Sequence, residues 1–286
     1  MPAISVLDSI IHYEERGVGT PLVFLHGNPT TSYLWRNIMP AIDGQFHCYA
    51  PDLIGMGQSG SSSSGYGFSA HARYLDAWLN TLNLQDIILV GHDWGAALAF
   101  DWASRHPGHV KGVIFMEAVL KPMAWQSLPP PVAERFKALR TPLGEKIVLE
   151  DHDFIEKTLR ATVLSTLSDK DIQAYTAPYT TPESRRPLLE WARAMPFDGE
   201  PAEVLKHIQC FNQWLANSEE TPKLLLSFED ATGSLAINQE AVAWCRQHIA
   251  NLTITPCGPA KHNAPEDRPE EIAAAINHWL NGYKSL

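Results

Sequence analysis

The chain has 286 residues, of which 45% are hydrophobic and 9% aromatic, and its 22 Lys and Arg against 32 Asp and Glu give a net charge of −10. This is an ordinary globular composition, and a chain of this length buries roughly 75% of the surface that its unfolded form exposes. The composition therefore argues against intrinsic disorder. The negative charge, with basic residues scattered along the chain, argues against nucleic acid as a partner.

No apolar run approaches the roughly 20 residues that a membrane span needs, so we expect no membrane partner. The first ten residues, MPAISVLDSI, lack a basic region followed by an apolar one, which predicts a cytoplasmic location without a secretory signal. The four cysteines form no C-x-x-C pair, so we expect reduced thiols and no bound metal. Nothing in the pattern predicts an oligomeric state.

Short apolar runs alternate with helix-period segments in the first half of the chain. The runs that predict buried strands are Pro21 to Leu25, Cys48 to Leu53, Ile87 to Val90 and Gly112 to Met116. Between them, helical spacing places Tyr74, Trp78 and Leu82 on one apolar face, and a second helical pattern follows Gly95. Strands that alternate with helices predict an α/β fold with a mostly parallel, doubly wound sheet.

The pattern changes between about residues 121 and 221, where prolines recur and the apolar spacing is helical without strand-like runs. Strand signals return with Lys223 to Phe228 and Leu252 to Pro256, and a final helix is predicted from about Pro269 to Leu280. We therefore predict a core whose first part is residues 1–120, an inserted helical cap over 121–221, and a second core part over 222–286.

Chemically useful side chains follow successive predicted strands, at the carboxyl ends where open α/β sheets bind ligands. The segment GHDWG at residues 91–95 follows one strand and opens a helix. It matches the G-x-S-x-G nucleophile elbow, with Asp93 in place of serine. Glu117 ends the next strand, Asp230 ends a later one, and His262 follows the last. The chain order of nucleophile, acid and histidine is that of the α/β-hydrolases.

An aspartate at the elbow predicts a different reaction from that of a serine. A carboxylate can displace a leaving group from a saturated carbon and form an alkyl ester, which must then be hydrolysed. His262, oriented by Glu117 or by Asp230, is the candidate base that activates water. The backbone N–H groups of Asn28 and Trp94 are candidates for the oxyanion hole. The side-chain N–H groups of the same two residues suit a halide ion as leaving group.

With these features the sequence resembles the haloalkane dehalogenases of the α/β-hydrolase fold. The resemblance covers nearly the whole chain and is carried by the segments FLHGNPT, WRNIMP, PDLIGMGQSG, GHDWGAALAF, FMEA, SRRPLLEW and HNAPED. It implies Asp93 as nucleophile, His262 as base, Glu117 as acid, and Asn28 with Trp94 as the halide pair. It also implies a small halogenated substrate and a halide ion as partners, without a cofactor.

Three further points concern the surroundings of the site that the resemblance implies: its pocket wall, the residue after the histidine, and the choice of acid. Phe154 and Pro201 of the predicted cap are expected to line the substrate pocket. The residue after the catalytic histidine is usually a bulky aromatic in this family, whereas this chain has Asn263, so the pocket wall or water path there is expected to differ. The FMEA segment places Glu117 with the branch that uses glutamate, and Asp230 is the alternative acid.

Other functions fit parts of the same pattern. An epoxide hydrolase shares the fold, the Asp nucleophile and the histidine, and would use cap tyrosines, for which Tyr175 and Tyr179 are candidates. That family, however, generally has an aromatic residue where Asn28 stands. A coelenterazine-type luciferase shares almost the whole residue set, and the sequence separates it poorly from a dehalogenase. A non-catalytic binding protein of this fold is disfavoured because the catalytic set is complete.

Overall fold

An eight-stranded sheet forms the centre of the computed structural model, which describes residues 2–151, 153–230 and 239–283. The strands are β1 (Ala3–Val6), β2 (Ser9–Gly17), β3 (Thr20–Leu25), β4 (Phe46–Pro51), β5 (Ile87–His92), β6 (Val110–Met116), β7 (Lys223–Asp230) and β8 (Leu252–Ala260). Their order across the sheet is β1-β2-β4-β3-β5-β6-β7-β8. The pairs β1–β2 and β2–β4 are antiparallel, and the other pairs are parallel.

Helices separate the parallel strands and follow the last one. They are α1 (Phe68–Thr81), α2 (Trp94–Arg105), α3 (Pro130–Leu139), α4 (Pro142–Glu145), α5 (Phe154–Ala161), α6 (Asp169–Thr176), α7 (Arg186–Ala194), α8 (Ala202–Asn217), α9 (Gln239–His248), α10 (Ala264–Asp267) and α11 (Pro269–Tyr283). Between β6 and β7, the described residues contain α3 to α8 and no strand of the sheet. None of the described helices is long and apolar enough to cross a membrane.

The α/β architecture predicted from the sequence is confirmed. All six predicted strands and the final helix are present, with ends that differ by a few residues. The sequence patterns missed β1 and β2, because β2 is buried only near its middle and ends in the exposed segment Glu15–Gly17, so it lacks the apolar run of a central strand. The four cysteines are free thiols, as expected. The division into residues 1–120, 121–221 and 222–286 remains a prediction.

The sheet is buried on both faces, which explains the uninterrupted apolar runs in its strands. Successive side chains of a strand point to opposite faces, so each strand contributes to two hydrophobic clusters. One cluster contains Val23, Leu25, Leu89 and Phe115 together with residues of α1, α2 and α8. The other contains Leu22, Phe24, Ile88 and Ile114 together with residues of α11. This packing fixes the strands, and therefore the positions of the residues at their carboxyl ends.

A sharp turn joins β5 to α2 and carries Asp93 at its tip. Asp93 has φ 52° and ψ −123°, a conformation that a residue with a side chain rarely adopts. The flanking glycines allow the close approach that this turn requires. A Cβ on Gly91 would lie 2.3 Å from the Cα of Ala96, and one on Gly95 would lie 2.1 Å from the carbonyl oxygen of Leu25. The strained turn presents the Asp93 side chain above the sheet edge.

Replacing Gly95 by alanine is expected to destabilise the fold by roughly 3 kcal/mol or more, since overpacking against a fixed backbone atom cannot be relieved by a side-chain shift. Urea denaturation followed by circular dichroism measures this. Gly282→Ala is the matched control, because the new Cβ meets nothing within 4 Å on α11. We expect this control to gain about 0.5–1 kcal/mol. A stability of Gly95→Ala close to that of the wild type would contradict the packing described for the elbow.

Candidate active site

The Asp93 carboxylate is buried, with 6% of the residue exposed, and is held by backbone N–H groups. Its Oδ2 accepts a hydrogen bond from the Asn28 backbone nitrogen at 2.9 Å, and the backbone N–H of Trp94 also donates to the carboxylate. Asp93 lies at the N-terminus of α2, where the helix dipole favours a negative charge. Burial raises the pKa of Asp93, while the charge of His262 and the two N–H groups act against this rise.

His262 lies between two carboxylates. Its Nδ1 is 3.2 Å from Oε2 of Glu117, and its Nε2 is 3.8 Å from Oδ1 of Asp93. Glu117 directly follows β6, which pairs with β5, so its carboxylate and that of Asp93 stand at neighbouring strand ends. With the Nδ1 hydrogen donated to Glu117, the Nε2 atom faces Asp93 and is the one that can take a proton. The arrangement has the geometry of a nucleophile, base and acid.

Opposing effects set the pKa of His262. Burial alone would lower it, but the hydrogen bond to Glu117 and the negative charges of Asp93 and Glu117 outweigh burial, so the pKa is raised. Asp93 and Glu117, which follow the neighbouring strands β5 and β6, therefore stabilise the imidazolium form of His262 in the free protein. The alternative acid, Asp230, ends β7, but its side chain lies outside the described part of the structure, so its role is left as a prediction.

Asn28 and Trp94 flank the Asp93 carboxylate, and helix α7 contacts both. The Nδ2 atom of Asn28 donates to the carbonyl oxygen of Leu188 at 3.2 Å, which uses one of its two hydrogens and leaves the second for a ligand. The indole of Trp94 stacks on that of Trp191, with ring centroids 4.7 Å apart and an angle of 23° between the planes. One helix therefore orients both of the side chains predicted to bind halide.

The remaining residues predicted for the site have other surroundings. Phe154 is 6% exposed at the start of α5, where the Arg135 guanidinium lies 5.5 Å from its ring centroid. Pro201 directly precedes α8. In the described structure, no hydrogen bond or ring contact links these two residues to Asp93 or to the four predicted side chains around it, so their place in a pocket wall remains a prediction.

The two tyrosines considered for an epoxide hydrolase are both buried. Tyr175 is fully buried, and its hydroxyl donates to Glu266. Burial raises the pKa of Tyr179, and the next contribution to that rise is the charge of Asp52. The Tyr175 phenol is therefore engaged by Glu266, and no described hydrogen bond joins either phenol to Asp93.

Sequence reasoning missed several contacts that shape this site. His92 and Asn263, the neighbours of two predicted catalytic residues, are fully buried and hydrogen-bonded. Leu188 and Trp191 reach the site from α7. Their spacing of three residues marks one buried helix face, but a helical pattern does not tell which element that face meets. His92 lies within the motif GHDWG, but the nucleophile-elbow pattern accepts any residue directly before the nucleophile, so the motif gave no reason to single out His92.

Comparisons with known proteins agree with this geometry. Residues 20–240 match the family model of the alpha/beta hydrolase fold. A haloalkane dehalogenase of Mesorhizobium japonicum is 44% identical over 281 residues, which are 97% of this chain and 90% of that protein. One from Sphingobium indicum is 42% identical over 270 residues, which are 92% of this chain and 89% of that protein. The chain belongs to the haloalkane dehalogenases.

Solved haloalkane dehalogenases share the whole architecture. The crystal structure of an ancestral haloalkane dehalogenase has a TM-score of 0.94 at 39% identity and covers 100% of both chains. That of DatA from Agrobacterium tumefaciens has a TM-score of 0.93 at 37% identity and covers 99% of this chain and 96% of its own. The family resemblance noted in the sequence is confirmed, and this dehalogenase is an enzyme that acts on carbon–halogen bonds.

The pKa of His262 in this dehalogenase is expected to lie above its ordinary value of about 6.5. Replacing Glu117 by glutamine removes a negative charge, so burial then meets less opposition and the pKa should fall. Nuclear magnetic resonance titration of labelled histidine measures the change. Asp230→Asn is the comparison variant and should leave the pKa unchanged. A pKa that falls with Asp230→Asn and not with Glu117→Gln would assign the acid to the later strand.

Proposed function

We propose that this dehalogenase converts haloalkanes to alcohols in two steps, through a covalent alkyl ester on Asp93. The observation that carries the proposal is the buried Asp93 carboxylate at the elbow. The Asn28 backbone N–H holds one of its oxygens, and the imidazole of His262 lies beside the other. A small halogenated molecule and a halide ion are the proposed partners, in keeping with the names of the related enzymes.

In the first step, Asp93 attacks the carbon that bears the halogen. Its Oδ2 is held by the Asn28 N–H at 2.9 Å, so Oδ1 is the oxygen left to attack. The new C–O bond forms while the carbon–halogen bond breaks, and the bonding electrons leave with the halide. The second Nδ2 hydrogen of Asn28 and the indole N–H of Trp94 then donate to the departing anion, whose charge grows as the bond breaks.

In the second step, water hydrolyses the ester. Nε2 of His262 takes a proton from the water, and the resulting hydroxide attacks the carboxyl carbon of Asp93. The backbone N–H groups of Asn28 and Trp94 stabilise the negative oxygen of the tetrahedral intermediate. Glu117 stabilises the imidazolium that forms. Collapse of the intermediate breaks the ester C–O bond and releases the alcohol, to which His262 returns the proton it took. The hydroxyl proton left on the Asp93 carboxyl group then passes through His262 to solvent, which restores the carboxylate.

The two steps are separated by His262→Phe. This variant retains the nucleophile but lacks the base, so it should release about one halide per enzyme from 1-bromobutane and then stop. Halide assay and intact-protein mass spectrometry measure the burst and the alkyl group on Asp93. Repeated turnover would show that another base activates water. Loss of even the first halide in a folded variant would show that His262 takes part in the displacement.

Competing substrates control this experiment. The wild-type enzyme is assayed in parallel with a short epoxide and with coelenterazine, because an epoxide also leaves an adduct on an aspartate. We expect repeated halide release from the bromoalkane and no turnover of the other two compounds. Turnover of the epoxide or light emission from coelenterazine, without halide release from a panel of brominated and chlorinated alkanes, would reject the proposed function.

The halide pair is tested by Asn28→Ala and Trp94→Phe. Each removes one side-chain donor and leaves the backbone N–H groups in place, so the displacement should slow roughly 10²-fold while ester hydrolysis is retained. Single-turnover halide release measures the first step, and decay of the alkyl-enzyme measures the second. Trp244→Phe is the matched control, since that indole stacks on His248 in α9. Near-normal displacement in both test variants would remove the assignment.

A further inference from the structure

His262 is held by its backbone as well as by its ring. Its carbonyl oxygen lies 2.7 Å from Nε2 of His92. His92 is fully buried and is the last residue of β5, directly before Asp93. The residue next to the nucleophile therefore contacts the main chain of the candidate base, and this contact is separate from the Glu117 hydrogen bond to the ring.

The chemistry of this contact fixes the form of His92. A carbonyl oxygen only accepts hydrogen bonds, so Nε2 of His92 carries the hydrogen. Burial, with a smaller contribution from the charge of His262, lowers the pKa of His92 to about 3. The ring is therefore neutral and serves as a hydrogen-bond donor. It does not compete with His262 as a base, although the two ring centroids are only 5.0 Å apart.

A second contact holds the other side of His262. The backbone N–H of Asn263 donates to the carbonyl oxygen of Thr162 at 2.9 Å, and Nδ2 of Asn263 donates to Oγ1 of Thr162 at 2.7 Å. The Thr162 hydroxyl lies 2.8 Å from the carbonyl oxygen of Thr158, to which it donates, so its lone pairs are left to accept from Asn263. Asn263 is fully buried, so both of these contacts lie in the interior of the protein.

Neighbouring bonds extend this contact along the end of α5. Lys261 donates from Nζ to the carbonyl oxygen of Ala161 at 3.2 Å. Oδ1 of Asp267 accepts the backbone N–H groups of Leu164 and Ser165, each at 2.8 Å. The loop that carries His262 is therefore bonded to residues 161–165 of the predicted cap on both sides of the histidine.

We propose that His92 and Asn263 are positioning residues that hold His262 from the core and from the predicted cap, in the place required for ester hydrolysis. This inference rests on the proposed function. Nε2 of His262 must reach a water beside the Asp93 ester, and a small displacement of the loop would misplace it. The displacement step needs only the Asp93 carboxylate and the halide donors. Loss of either contact should therefore slow the second step and spare the first.

The core contact is tested by His92→Leu and His92→Gln. Leucine removes the donor and should slow decay of the alkyl-enzyme about tenfold, the effect of losing one buried hydrogen bond, while the halide burst keeps its wild-type rate. Glutamine carries an amide N–H at a similar reach and should restore most of the decay rate. Rapid-quench mass spectrometry of the alkylated fraction and a halide assay measure the two steps separately.

The cap contact is tested by Thr162→Val, which removes the acceptor of Asn263 Nδ2 with little change of shape. Decay of the alkyl-enzyme should slow about three- to tenfold with an unchanged halide burst. Thr158→Val, one turn earlier in α5, is the matched control. Its hydroxyl donates to the carbonyl oxygen of Phe154 and accepts from Arg135, and no described hydrogen bond joins it to the His262 loop. This control should hydrolyse the ester at the wild-type rate.

The outcomes separate this inference from the proposed function. Slow ester hydrolysis with a normal burst in His92→Leu and Thr162→Val, and recovery in His92→Gln, supports the positioning role. Wild-type hydrolysis rates in folded His92→Leu and Thr162→Val overturn it, while the halide burst still supports the proposed function. Equal losses in both steps and in thermal stability would assign the contacts to folding alone. A wild-type enzyme that releases no halide rejects the proposed function and this inference with it.

Discussion

The burial of one carboxylate constrains the rest of this structure. A charged group that is 6% exposed must be compensated by hydrogen bonds and by opposite charge, since its desolvation alone costs several kcal/mol. Asp93 receives N–H groups from Asn28 and from the first residue of α2, and the imidazole of His262 faces the oxygen that Asn28 does not bind. These groups come from three separated parts of the chain. They meet because parallel strands end at one edge of the sheet, and because two glycines allow the chain to reverse around Asp93.

The sequence was sufficient to predict this edge and much less informative about what covers it. Asp93, Glu117 and His262 each follow an apolar run, and parallel strands necessarily bring such positions together. The contacts from α7 and from Thr162 were not predictable in this way. A helical pattern indicates that Trp191 is buried. The element that Trp191 contacts depends on how the helices between β6 and β7 pack, and the spacing of apolar residues along one helix does not specify this. The antiparallel strand β2 was missed for a related reason, because its burial depends on its neighbours.

Charged groups also connect the predicted cap to the loop after His262. The guanidinium of Arg36 donates to both oxygens of Glu266, at 2.6 and 2.7 Å, and lies 3.0 Å from Asp171 of α6. Tyr175, also on α6, donates to the same Glu266 carboxylate. Bidentate pairs of this kind define geometry more than they add stability. The network places α6 against the short helix that follows Asn263, so a tyrosine that the sequence offered as a proton donor instead joins two parts of the fold.

The closeness of Asp93 to His262 has a consequence for the order of events in the proposed reaction. In the free enzyme the negative charge of Asp93 contributes to the raised pKa of His262 and favours the protonated ring. An ester is neutral, so alkylation of Asp93 removes that contribution, and the histidine then releases its proton more readily. Its lone pair thus becomes available at the stage when water must be activated. The loss of the Asp93 charge on alkylation thereby links the protonation state of His262 to the progress of the proposed reaction.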